Sequence, residues 1–243
     1  MASFIFVHGS WHWGGCFQKV ANALALRGHA VALPDLATHG YDATPVGTVA
    51  DMAQYTMPVR RLLEMSAMPA ILVGHSMGGA TCDYLGEAIP ERIGALVYLA
   101  AFMCPSGVRP DDYNFSETNK GVPLAALVGR DARGIRLSVD DPGKLKAAFY
   151  ADCSDHDVAI ALRNLIPITP AAPNTTRSAI TAARFGRLRR IYVECTDDRA
   201  ITLATQRKMQ HDVPGAEVLS MAASHSPFFS QPEQLAGLLH GLV

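Results

Sequence analysis

Ala70-Ile71-Leu72-Val73 runs straight into Gly74-His75-Ser76-Met77-Gly78-Gly79, and Ala80-Thr81-Cys82-Asp83-Tyr84-Leu85 follows. The short run of apolar strand formers reads as a buried strand, and the residues after the glycines have helical character. Between them lies the pattern G-x-S-x-G, which on a strand-to-helix turn holds a serine in a strained, exposed position. Gly74 and Gly78 remove side chains that would collide with strand and helix. The Ser76 hydroxyl is then left clear at the carboxyl edge of a sheet. The first helical turn aims its N–H groups and positive dipole end at the same point. A glycine-rich turn with an incidental serine would carry the same five residues. Only a base, an acid and an oxyanion site elsewhere in the chain make Ser76 a nucleophile.

Outward from that turn, apolar runs alternate with helical patterns. Phe4-Ile5-Phe6-Val7 reads as a buried parallel strand with His8-Gly9-Ser10-Trp11 at its carboxyl end. A helix from about Cys16 to Leu26 stops at Arg27-Gly28, and Ala30-Val31-Ala32-Leu33 is the next strand. A loop of small residues carries His39. Val49 to Met65 has helical spacing, with Pro58 expected to kink it or delay its start. Ile93 to Phe102 supplies another strand.

After Phe102 the alternation lapses into polar loops, Pro and Gly breaks and short amphipathic pieces such as Lys144 to Tyr150. It resumes with Arg189 to Cys195, a helix from about Thr202 to His211, a last strand Ala216 to Met221, and a closing helix from Gln231 to Leu242. The expected fold class is α/β: a doubly wound, mostly parallel sheet of about six strands with crossover helices. Residues 1–102 and 186–243 form the core, and 103–185 an inserted, mainly helical cap over the site. The plainer reading of 103–185 is an irregular part of the same domain.

A chain of 243 residues with 49% hydrophobic and 18% charged residues is globular, not disordered, and long enough for a substantial core. Twenty-one basic against 22 acidic residues give a net charge of −1, without a basic stripe, so neither nucleic acid nor a membrane surface is an expected partner. No apolar stretch reaches the length of a membrane span, and Met1-Ala2-Ser3 enters a strand without signal-peptide features. The five cysteines are scattered and never in a C-x-x-C pair, which points to free thiols and a cytoplasmic location. His8, His12 and Cys16 recur at helical spacing, but Gly9, Gly14 and Gly15 argue against a helix there. No metal or other cofactor is expected.

The carboxyl ends of the strands collect His8-Gly9-Ser10, Ser76, Asp197-Asp198 and His225. A serine hydroxyl needs a base that titrates near neutrality, and an imidazole base needs a carboxylate to fix its tautomer. The order Ser76, acid, His225 is that of the α/β-hydrolases.

The chain resembles the α/β-hydrolase superfamily over nearly its whole length, and within it the small-cap group of methylesterases, hydroxynitrile lyases and bacterial esterases. The residues carrying the likeness are Phe6 to His12, Leu33 to Leu36, Gly74 to Gly79, Cys195 to Ile201 and Ser224 to Phe228. The resemblance implies a Ser76-His225-Asp198 triad, with Asp197 and mid-strand Glu194 as weaker candidates for the acid. It also implies an oxyanion hole from the backbone N–H groups of Ser10 and Met77. Homodimers occur among similar proteins. Similar lyases carry threonine where this chain has Gly9 and lysine where it has Ser226, so cyanohydrin cleavage is disfavoured. Dehalogenase or epoxide hydrolase chemistry wants an aspartate in place of Ser76.

The expected activity is therefore hydrolysis of a small apolar or aromatic carboxylic ester by a serine carboxylesterase. A slow small-molecule receptor of the same fold, or a lactone or C–C bond hydrolase, is the alternative. Gly9, Trp11, His12, Phe102 and Phe149 are the candidate substrate-binding residues, with Trp13 narrowing the pocket and His39 near its mouth. His8 is expected to order the oxyanion loop and His75 to pack beside Ser76. His29, His156, His211 and His240 read as surface residues.

Overall fold

The apolar runs are strands of one sheet in the computed structural model, which describes residues 1–122, 127–131 and 133–243. In chain order β1 (Ser3–Val7) is followed by helix α1 (Gln18–Leu26), β2 (Ala30–Ala32), α2 (Met52–Met65), β3 (Ala70–His75), α3 (Gly78–Ala88) and β4 (Ile93–Leu99). Next come α4 (Pro110–Asn114), β5 (Val128–Asp131), β6 (Gly134–Leu137), α5 (Pro142–Phe149), α6 (Asp155–Asn164), β7 (Ile168–Thr169) and α7 (Ala172–Thr175). The chain closes with β8 (Arg190–Cys195), α8 (Leu203–Asp212), β9 (Ala216–Met221), α9 (Pro227–Ser230) and α10 (Pro232–His240).

The main sheet has the order β2-β1-β3-β4-β8-β9, and every neighbouring pair is parallel. Such a sheet is covered on both faces, which is why its strands read as continuous apolar runs rather than alternating ones. Successive side chains feed opposite cores. Phe4, Phe6, Ile71, Val73, Val97 and Ile191 pack on one side, and Ile5, Val7, Leu72, Leu96, Tyr98 and Tyr192 on the other.

From β1 the chain moves first to the β2 edge and then back across to β3. The strand order therefore reverses between β1 and β3, and an open α/β sheet binds its ligands outside the carboxyl ends of the strands at such a point. Val7 pairs with Gly74, Gly74 with Tyr98 and Leu99 with Val193. This register brings the loops after β1, β3, β4 and β8 to one edge.

Helix α2 starts at Met52, capped by the Asp51 carboxylate on the Gln54 N–H, and runs on through Pro58. Pro58 is half-exposed, so water can replace the donor it lacks.

The segment between β4 and β8 contains α4 to α7, as its amphipathic pieces suggested, together with a three-stranded antiparallel sheet β5-β6-β7. That small sheet was not anticipated. Its strands are two to four residues long, too short for a periodic pattern to register. Within the expected cap, residues 123–126 and 132 lie outside the described residues. Among the described residues no helix is long and apolar enough to cross a membrane.

Candidate active site

Ser76 directly follows β3 and has φ +53°, a left-handed backbone conformation that costs a non-glycine residue of order 1–3 kcal/mol. The turn is held from both ends: the Ser76 N–H donates to Leu99 O (3.3 Å), and Ser76 O accepts from the Phe102 N–H (3.0 Å). Helix α3 leaves so close to β1 that a Cβ on Gly78 would lie 2.4 Å from the Val7 carbonyl oxygen. Only glycine fits there. The strained serine is thus fixed by the sheet on one side and by α3 on the other.

His225 lies in the loop after β9, and its Nδ1 is 2.7 Å from Asp198 Oδ2 in the loop after β8. His225 is 1% exposed and Asp198 5%. The other carboxylate oxygen, Oδ1, accepts the backbone N–H groups of Ala200 (2.8 Å) and Ile201 (2.9 Å). Asp198 is therefore held as an acceptor on both sides, which makes His225 Nδ1 the donor and leaves Nε2 free to accept a proton. Asp197 is exposed, and Glu194 is engaged with Arg207, Gln210 and Ser220.

Ser76 and His225 line one narrow cavity with Ser10, Trp11, Met77, Phe102, Asn114, Phe149, Asn174, Ala200 and Ile201. Its volume is about 20 Å³, room for a single water-sized group. No hydrogen bond joins the Ser76 hydroxyl to His225, a contact that often tightens only when substrate binds. Among the described residues, neither the Ser10 nor the Met77 N–H is spent on a turn or side-chain acceptor. Two unspent N–H donors beside a serine can hold a developing oxyanion.

The loop after β1 is built around neutral imidazoles. His8 Nε2 accepts the Leu36 N–H (3.1 Å), so its Nδ1 donates to Gly9 O (2.9 Å). Burial, then neighbouring His39, holds its pKa well below the ordinary value. His12 Nδ1 donates to Ser10 O (2.9 Å) and its Nε2 accepts the Tyr150 hydroxyl (2.8 Å). Burial lowers His12 to about 4 against the opposing pull of the Ser10 carbonyl. His75 Nε2 donates to the His225 backbone carbonyl (2.8 Å), and burial followed by His225 and His12 keeps it neutral.

The segment between β4 and β8 grips the same loops. Trp11, at φ +62°, donates its indole N–H to Ile135 O (3.1 Å) and accepts the Ile166 N–H on its carbonyl (2.8 Å). Asp152 accepts the Ser224 N–H (3.0 Å) and the Ser224 and Ser230 hydroxyls beside His225.

Of the expected pocket residues, Trp11, Phe102 and Phe149 line the cavity. Gly9 and His12 do not. Gly9 backs Ser76, where an added Cβ would sit 2.8 Å from Ser76 Cβ. His12 lies behind the loop, buried against Trp13 and Tyr150. Trp13 stacks on His12 rather than narrowing the cavity. His39 is fully buried against His8 and Tyr55, not at a mouth. His29 is buried as well, its Nε2 facing His240 Nδ1 (2.8 Å). Asn114, Asn174, Asp152 and Gln206 went unread because their roles depend on pairings distant in sequence that no local pattern announces.

The sequence profile of the alpha/beta hydrolase family matches residues 4–238. The chain is 32% identical to a pyrethroid hydrolase of Sphingobium wenxiniae over 96% of this chain and 84% of that one. It is 30% identical to methylesterase 7 of Arabidopsis thaliana over 97% of this chain and 94% of that one. A pyrethroid hydrolase crystal structure from Sphingobium faniae superposes with a TM-score of 0.90 at 30% identity, covering 99% of this chain and 96% of the other. The chain belongs to the alpha/beta hydrolase family, in company with members named as hydrolases and methylesterases.

Proposed function

We propose that the protein is a serine carboxylesterase acting on a small apolar or aromatic carboxylic ester. One observation carries the reading: His225, paired with buried Asp198, shares a cavity with strained Ser76 and with Ser10 and Met77, whose N–H groups are unspent. His225 Nε2 takes the Ser76 proton as Oγ attacks the ester carbonyl carbon, and the oxyanion is held by the N–H groups of Ser10 and Met77. Asp198 keeps the proton on Nδ1 and stabilises the imidazolium. The imidazolium then protonates the departing alcohol. Water, deprotonated by the same histidine, cleaves the acyl-enzyme and frees Ser76.

Trp11, Phe102 and Phe149 give the cavity an apolar wall, which supports an apolar or aromatic acyl or alcohol group. The names of the similar pyrethroid hydrolase and methylesterases support ester cleavage. With so little free volume, the segment between β4 and β8 acts as a cap that shifts to admit substrate. The five buried free cysteines fit a reducing compartment, consistent with a cytoplasmic enzyme.

Rapid mixing with p-nitrophenyl acetate tests the reading. A burst of p-nitrophenol equal to the enzyme concentration, followed by sustained turnover, is the expected trace. A burst without turnover would replace the esterase with a slow receptor, and no release at all would remove the acyl-enzyme.

A further inference from the structure

Two carboxamides from the segment between β4 and β8 line the cavity that also holds Ser76 and His225, Asn114 at the end of α4 and Asn174 in α7. Asn174 is 3% exposed, and among the described residues the Oδ1 of each has no hydrogen-bond partner. A buried acceptor left unsatisfied costs about 1–3 kcal/mol, so such oxygens are kept for a reason. The Asn174 amide is oriented by Asp111, whose Oδ1 lies 3.5 Å from Nδ2 and so assigns the other end of the amide as the free oxygen.

Asn114 is held just as deliberately. Its backbone carbonyl accepts Asn119 Nδ2 (3.1 Å), and the same amide reaches Ala200 O (3.0 Å) in the acid loop. Asn119 Oδ1 in turn accepts the Thr202 N–H (2.9 Å). The stretch bearing Asn114 is thereby stitched to the loop that carries Asp198.

The geometry points to Asn174, with Asn114 beside it, as a recognition pair for a hydroxyl group on the ester. Two amide oxygens accept hydrogen bonds and offer no charge. A cation would find no free counter-charge there, because Asp111 is paired with Arg130 and Asp198 is taken up by His225, Ala200 and Ile201. A hydroxyl donates its one proton to one of these oxygens, the more buried Asn174 Oδ1 first, whereas an ether or a bare alkyl group can pair with neither. The substrate class narrows to hydroxy-substituted carboxylic esters, an inference that rests on the esterase reading.

The test is a ratio of kcat/KM values on matched esters. One pair places the group on the acyl side, methyl mandelate against methyl α-methoxyphenylacetate. The other places it on the alcohol side, 2-hydroxyethyl against 2-methoxyethyl phenylacetate. Wild type is expected to prefer the hydroxyl ester of at least one pair by about tenfold. Asn174→Leu should bring that ratio close to one.

A merely structural Asn174 would lower both esters of a pair together and leave the ratio intact, which overturns the inference. Equal rates on both members of each pair in wild type would overturn it too, with ester hydrolysis still standing. Absence of hydrolysis on all four esters would instead bring down the esterase reading itself.

Discussion

Asp198 Oδ2 and His225 Nδ1 lie 2.7 Å apart and are both sealed from solvent, in loops that follow two adjacent parallel strands. The carboxylate has no other side-chain partner within 3.0 Å, and its second oxygen is taken by two backbone N–H groups. It can do little except orient the imidazole. In an Asp198→Asn variant the amide can offer its N–H to Nδ1, which moves the imidazole proton to Nε2 and removes the acceptor for the serine proton. A fall in kcat of about 10⁴-fold with an unchanged far-ultraviolet spectrum is expected. A loss smaller than tenfold would show that Asp198 does not set the tautomer.

Gly9 backs onto Ser76. A methyl at that position would press within 2.8 Å of Ser76 Cβ and against the His75 carbonyl oxygen at 3.3 Å. Because β1 and β3 are paired up to Val7 and Gly74, the backbone has little room to yield. Gly9→Ala should therefore shift the Ser76 hydroxyl and lower kcat by about a hundredfold, with a small change in Tm. Steady-state kinetics beside a thermal melt separates that outcome from general unfolding.

Gln206 in α8 holds the acid loop. Its Oε1 accepts the Cys195 N–H (3.0 Å), and its Nε2 donates to Cys195 O (3.1 Å) and Ile201 O (2.8 Å). Gln206→Met keeps the volume but leaves the buried Cys195 N–H and Ile201 carbonyl without partners, and Cys195 O with only the Asp198 N–H (3.4 Å). The expected cost is about 3 kcal/mol in urea unfolding, accompanied by a lower kcat as Asp198 loosens. A variant as stable as wild type would mean that the loop is held by packing alone.

What the sequence made legible follows from where the chemistry is local. The strand-turn-helix around Ser76, the strand-end positions of Asp198 and His225, and the order of the apolar runs each depend on residues within one short window. The parallel six-stranded sheet with its crossover helices therefore came out as expected, whereas the spatial order of the strands is visible only in the structure. The placement of His12 and His39 did not, because polar residues beside an apolar strand look the same from sequence whether they face a cavity or a buried carbonyl. Asn114 and Asn174 were hidden for another reason. They sit on helices of five and four residues, too short to carry a periodic signal, and are brought together across some sixty residues of chain.

The buried histidines set a pH limit on the fold. Burial foremost lowers His12 and His39 to about 4 and His8 and His75 well below their usual value, so the folded state excludes protons that the unfolded chain accepts. A depressed folded value gives stability that is complete above about pH 6.5 and lost as pH falls toward about 4. Each shift to about 4 corresponds to roughly 3 kcal/mol. Asp83 works the other way. Burial raises it to about 7 despite hydrogen bonds from Tyr98 and Cys104, so its contribution shrinks as pH rises through the same window. Four histidines outweigh one carboxyl, and urea midpoints should climb between pH 4 and pH 6.5. A flat profile would show that the imidazoles are protonated in the folded state.

The proposed esterase chemistry stands or falls with Ser76 as the nucleophile. Steady-state hydrolysis of p-nitrophenyl butyrate and methyl phenylacetate by wild type and Ser76→Ala tests it most directly. Sustained turnover of at least one ester by wild type is expected, with a loss of about 10⁴-fold or more in the variant and an unchanged melting curve. Turnover of wild-type magnitude in Ser76→Ala would contradict it and take Ser76 out of the mechanism.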